Sequence, residues 1–105
     1  MRDRIIVKKE QIPYGFYIAL GKDKFNLRFS YNTQEDLFTV SLYRDGKLLC
    51  YVEPIIYGVP LFRDVYEAGL FPALDIVPLD ESGQEQEVTW ENFGETVFLT
   101  IDNGK

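Results

Sequence analysis

Any reactive centre in this chain of 105 residues has to be built without imidazole, because the sequence contains 0 His. Its 1 Cys, Cys50, lies in the apolar run Leu48-Leu49-Cys50-Tyr51-Val52 and has no neighbouring base to raise its thiolate fraction. It reads as a small buried hydrophobe rather than a nucleophile. Ser- or Cys-based triads are left with Lys as the only base, and no spacing supports one. Glycosidase chemistry needs two carboxylates facing each other across a cleft. With 17 acidic residues, pairs such as Glu85/Glu87, or a single Asp75, arise by chance. The run Asp80-Glu81-Ser82-Gly83-Gln84-Glu85 holds the ingredients of a Ca²⁺ loop without its length or alternation, and reads as a solvated hairpin turn. The 8 Gly are scattered one to a turn, so no loop is fit to cradle a phosphate. No catalytic residue, no metal ligand and no cofactor is expected.

What remains is chemistry of contact. Aromatic residues make up 15% of the chain, enough to raise the question of a stacking platform for sugars or bases. Phe25, Phe29 and Phe38 share strand faces with aliphatic residues and belong to a core. Tyr43 and Tyr51 lie on the faces opposite Leu42 and Cys50 and are candidate interface residues. The segment Tyr57-Gly58-Val59-Pro60-Leu61-Phe62-Arg63 places large apolar groups on an irregular loop. Either it closes over the core as a lid, or Tyr57, Val59, Leu61, Phe62 and Arg63 form a contact patch for another subunit.

The elements that must position these residues are short strands. Residues 4–8 form a β-branched run, and residues 1–12 an edge strand or arm that ends at Ile12-Pro13. Residues 15–20 come next as a strand. Phe25, Leu27, Phe29 and Tyr31 then alternate with Asn26, Arg28 and Ser30, the period of a strand with one buried and one wet face. Phe38, Val40 and Leu42 repeat the pattern. Asp45-Gly46 between two apolar runs marks a two-residue hairpin, so residues 23–53 read as a three-stranded meander. Pro54, Gly58 and Pro60 break the next stretch into an irregular connection. Residues 70–78 and 96–102 read as further strands. Thr89 to Gly94 reads as a single turn with Thr as N-cap. The expectation is an all-β chain, one domain over 1–105: a small antiparallel β-sandwich or partly open barrel of about seven short strands with little helix.

Composition bounds the setting. Hydrophobic residues at 46% and charged residues at 27% are ordinary for a globular chain and argue against disorder. A net charge of −6 opposes binding to nucleic acid or to an anionic membrane. No apolar run approaches the ~18 residues of a membrane helix, and no signal segment is expected. Residues 1–52 hold 9 Lys/Arg against 6 acids, whereas residues 53–105 hold 2 against 11. That split suits head-to-tail packing of copies, unless antiparallel strands mix the halves in space. A single Cys permits no internal disulfide and fits a reducing compartment such as a cytosol.

An aromatic strand ending in Tyr31-Asn32 is followed by a polar turn, the strand 37–44, the Asp45-Gly46 hairpin and a return strand. Next come the apolar segment Gly58-Val59-Pro60-Leu61 and a late turn through Trp90 and Phe93-Gly94 before the last strand. This order resembles the baseplate plug family of contractile-tailed phages and prophages, the cyanophage-type plug domain, over nearly the whole chain. The resemblance implies a non-enzymatic structural subunit of the tail baseplate, a plug or adaptor present in several copies. Its implied partners are hub and tail-tube proteins and other copies of itself. It would assemble in the bacterial host cytoplasm and end in the virion tail baseplate. The residues alone also accommodate a small soluble β module that binds a protein, peptide or carbohydrate.

Overall fold

A computed structural model describes residues 3–102. Seven strands form two antiparallel sheets: β1 (Asp3–Ile5), β2 (Tyr14–Leu20), β3 (Asp23–Asn32), β4 (Leu37–Arg44), β5 (Lys47–Pro54), β6 (Asp75–Leu79) and β7 (Phe98–Asp102). The larger sheet runs β2-β3-β4-β5 and the smaller β1-β7-β6. The expected all-β class with about seven short strands is observed, as two separate sheets that do not close into a barrel. The only helical elements among the described residues are two 3-10 turns, at Lys9–Gln11 and Arg63–Val65.

Period-2 alternation sets the register. Phe25, Leu27 and Phe29 of β3 lie beside Ile18, Phe16 and Tyr14 of β2, and Leu27 and Phe29 beside Leu42 and Val40 of β4. All of these share one face, and Leu27, Val40, Leu42 and Phe38 have no exposed surface. Ile5, Ile76 and Leu99 of the smaller sheet join the same hydrophobic cluster, so the core lies between the sheets. The β4–β5 turn works as a tight hairpin because Asp45 and Gly46 both take positive φ, 53° and 78°.

Two connections complete the core, and both differ in detail from the alternation read in the sequence. The strand expected over 70–78 begins only at Asp75. Leu70 and Phe71 both donate their N–H groups to the Glu67 carbonyl, at 3.1 Å each, and Pro72 comes next, so this stretch is a turn. Phe71 still reaches the core. The acidic run at 80–85 is no hairpin turn either, because β6 and β7 are joined by the long connection 80–97. Within it Thr89 Oγ1 accepts from Asn92 N at 3.2 Å and Phe93 N donates to Thr89 O at 3.0 Å. This capped turn places Phe93 4.5 Å from Phe38, centroid to centroid, and closes one end of the sandwich.

Candidate functional site

The loop through Tyr57 and Arg63 is held by backbone bonds along the free edge of β6. Gly58 N donates to Pro78 O at 2.8 Å and Leu61 N to Ile76 O at 2.9 Å. Those bonds turn Leu61 and Phe62 inward, where they are 7% and 3% exposed. Phe62 takes a left-handed φ of 64°, and its N–H donates to Glu53 Oε2 at 2.9 Å. In the free chain these two side chains therefore form a lid on the core. Tyr57 is half-buried, its hydroxyl accepting from Asp80 N at 3.1 Å. Val59 is half-buried, and Arg63 is exposed at the rim of a shallow hollow shared with Tyr66, Phe71 and Leu74.

The other two candidates lie elsewhere. Tyr43 is half-buried on the outer face of the larger sheet, with Asn26 on one side and Leu48 on the other. Tyr51, on β5, is 72% exposed. The seven candidate side chains thus occupy two regions of the surface and the core, not one concave site. The most exposed large ring is one that sequence reasoning passes over: Tyr17 of β2, 74% exposed. Its position between the core-facing Phe16 and Ile18 carries the signal.

Titratable groups are engaged in holding loops. Asp80 accepts from Ser82 N and Ser82 Oγ at 2.9 and 2.6 Å, from Gln84 N at 3.2 Å and from Glu85 N at 2.9 Å. The Ser82 hydroxyl, with the three backbone donors, holds its carboxyl below the usual value. Among the described residues no three His, Cys, Asp or Glu side chains stand together to share a metal ion. Glu85 Oε1 accepts from Asn92 Nδ2 at 3.1 Å, Glu87 is exposed, and Asp75 lies at a sheet edge across from Asp102.

Asp36 organises the opposite turn. Its Oδ1 accepts from Tyr31 Oη at 2.6 Å and from Trp90 N at 2.9 Å, tying the β3–β4 turn to the capped turn. The Tyr31 hydroxyl is pushed up to about 12, mainly by donating that bond to Asp36. Lys9 Nζ donates to the carbonyls of Trp90 and Glu91 and lies 5.3 Å from the indole centroid, bringing the N-terminal arm to the same place. At the far end Arg44 bonds the carbonyls of Gly69 and Leu70 at 2.9 Å each and pairs with Asp23 at 3.2 Å. Burial, then the Glu53 carboxylate, raises the Cys50 thiol to about 11, which leaves it protonated and unreactive near neutrality.

Polar side chains that lock loops, a sealed two-sheet core and scattered exposed aromatics define a small all-β contact domain. The chain belongs to the family described as cyanophage baseplate Pam3 plug gp18, whose pattern it matches over residues 2–104. Membership makes it a phage baseplate structural protein of the virion tail, associated with other baseplate or tail proteins. A search of curated proteins found no match.

Proposed function

We propose that the chain is a non-enzymatic plug or adaptor of a contractile phage or prophage tail, held near the hub and the lower end of the tail tube. The observation that carries this reading is family membership over residues 2–104, almost the full length. The arrangement of side chains supports it: the carboxylates of Asp36, Glu53 and Asp80 serve loop geometry. A rigid sandwich with locked loops suits a part whose work is to be gripped. On this reading the subunit folds in the host cytoplasm and is recruited there by hub and tube proteins.

The test is co-expression with the hub and tail-tube proteins encoded beside it, with a tag on the hub. The proposal expects this chain to be retained with the hub in fixed ratio. Its complete loss in the wash, with hub and tube still joined, would refute the adaptor role.

A further inference from the structure

Of the strands at the sheet margins, β2 alone is long, straight and uncovered among the described residues. β1 has three residues. The edge of β6 is covered by the bonds from Gly58 and Leu61. β5 carries a bulge, a positive φ of 56° at Val52 and a terminal Pro54. Natural proteins blunt edges by such means, because an open row of N–H and C=O groups recruits another strand. β2, with the sequence Tyr-Gly-Phe-Tyr-Ile-Ala-Leu, has no charge, no Pro and no bulge.

The hairpin determines which of its groups face outward. Leu20 pairs with Asp23 across a two-residue turn, so Leu20, Ile18, Phe16 and Tyr14 exchange hydrogen bonds with β3. The N–H and C=O groups of Gly15, Tyr17 and Ala19 are left pointing away from the sheet. We infer that β2 is a docking edge for β2 of a second copy of this chain, paired antiparallel about a two-fold axis at Tyr17.

The occupant is set by self-complementarity. In that register Gly15 faces Ala19 of the second copy, Tyr17 faces Tyr17, and Ala19 faces Gly15. These are the residues whose backbone groups are open, so all six groups on each strand find partners. Shifting the register by one residue sets open groups against groups already bonded to β3. The side chains agree. On the outer face the neighbours of the Tyr17 ring along β2 are the small residues Gly15 and Ala19, while Asn26 lies across from it on β3 and Lys24 Nζ is 5.9 Å from its centroid. On the core face Phe16 and Ile18, which are only partly buried at this margin, face each other's counterparts and continue the core across the junction. An isologous contact of this kind closes at two copies. Gly15 has a further role: a Cβ there would lie 2.7 Å from Leu27 O and 2.8 Å from Arg28 Cγ, because the Arg28 side chain crosses it.

The junction is apolar and backbone-made, and it gathers Lys24 and Arg28 of both copies on its outer face, so added salt strengthens it. Sedimentation of the full-length protein against concentration and salt provides the test, together with amide exchange of β2. The expected result is a dimer, at least as tight at high salt, with slow exchange at Gly15, Tyr17 and Ala19. Ala19→Lys sets a charge against the edge, and Tyr17→Pro removes an outward N–H while sparing the bonds to β3. Both variants are expected to be monomeric and to exchange fast at the remaining open amides. Should Tyr17→Pro fail to fold, Ala19→Lys decides alone. A wild-type monomer with fast exchange at these three amides overturns the inference. So does a dimer that survives Ala19→Lys, or one that salt dissolves.

Discussion

Phe38 is the residue on which the packing account can be tested hardest. It has no exposed surface and touches three aromatic neighbours: Tyr31 at 4.7 Å, Phe93 at 4.5 Å and Trp90 at 5.7 Å, the last nearly parallel at 9°. Replacing it with Ala removes a buried ring from the joint between the larger sheet and the capped turn. A buried Phe→Ala change costs ~3–5 kcal/mol, through lost transfer energy and the cavity left behind. The upper half of that range applies here, because offset aromatic pairs add ~0.5–1.5 kcal/mol beyond area and three are broken at once. A domain of this size holds roughly 5–15 kcal/mol in total, so Phe38→Ala removes about a quarter of it or more. Urea unfolding followed by Trp90 fluorescence measures the change, and the stacked indole reports the same site before unfolding begins. Expected are a stability lowered by ~4 kcal/mol, an unchanged urea slope and a shifted emission in the native baseline. A loss under ~1.5 kcal/mol would refute the reasoning, since a site able to collapse that well is not the rigid joint described.

Other expectations rest on the same logic. Phe29→Ala, 1% exposed and 5.7 Å from Phe16, should cost ~3–5 kcal/mol in the same assay, whereas Tyr51→Ala, largely in water, should stay within ~0.5 kcal/mol. Leu61→Asp and Phe62→Asp bury an unpaired carboxylate in the lid and should leave the chain unfolded or insoluble; two well-folded variants would show that the loop is not part of the core. Tyr31 and Cys50 are both raised in the folded state, to about 12 and about 11 from 10.0 and 9.0. The folded protein therefore holds protons longer than the unfolded chain, so their contribution is complete below pH 9 and lost between there and about 12. Denaturation followed from pH ~8 upward should show that decline, and Asp36→Ala should bring the Tyr31 absorbance titration back toward an ordinary phenol. Asp80, held low, works in the opposite direction: its contribution is present above 3.8 and disappears as pH falls through its lowered folded value.

The sequence makes the strands legible wherever one face is dry and the other wet. Phe25, Leu27 and Phe29 alternate with polar residues, and these are the side chains that the two sheets bury. The Asp45-Gly46 turn is equally local, because two consecutive positive φ values suit few residue pairs. Residues 70–74 are harder to read. Leu70, Phe71 and Leu74 look like a strand by composition, but the two N–H groups bound to Glu67 O bend the chain before β6 begins. The lid over the core is legible only as an alternative, since Leu61 and Phe62 turn inward through bonds to Ile76 and Glu53, distant in sequence. For the same reason the nodes at Asp36, which reaches Trp90, and Arg44, which reaches Gly69 and Leu70, could not be found by spacing. Tyr17 could have been. Its parity in β2 places it opposite Phe16 and Ile18, on the wet face.

Membership in the plug family leads to one central claim, that the chain is a fixed part of a tail baseplate. Electron cryomicroscopy of intact tails from a particle that encodes it tests that claim most directly. The account predicts density for a two-sheet domain of 34 × 31 × 22 Å at the baseplate centre, in contact with hub or tube. A complete baseplate in which no density accommodates this sandwich, from particles whose protein content lacks the chain, would contradict it.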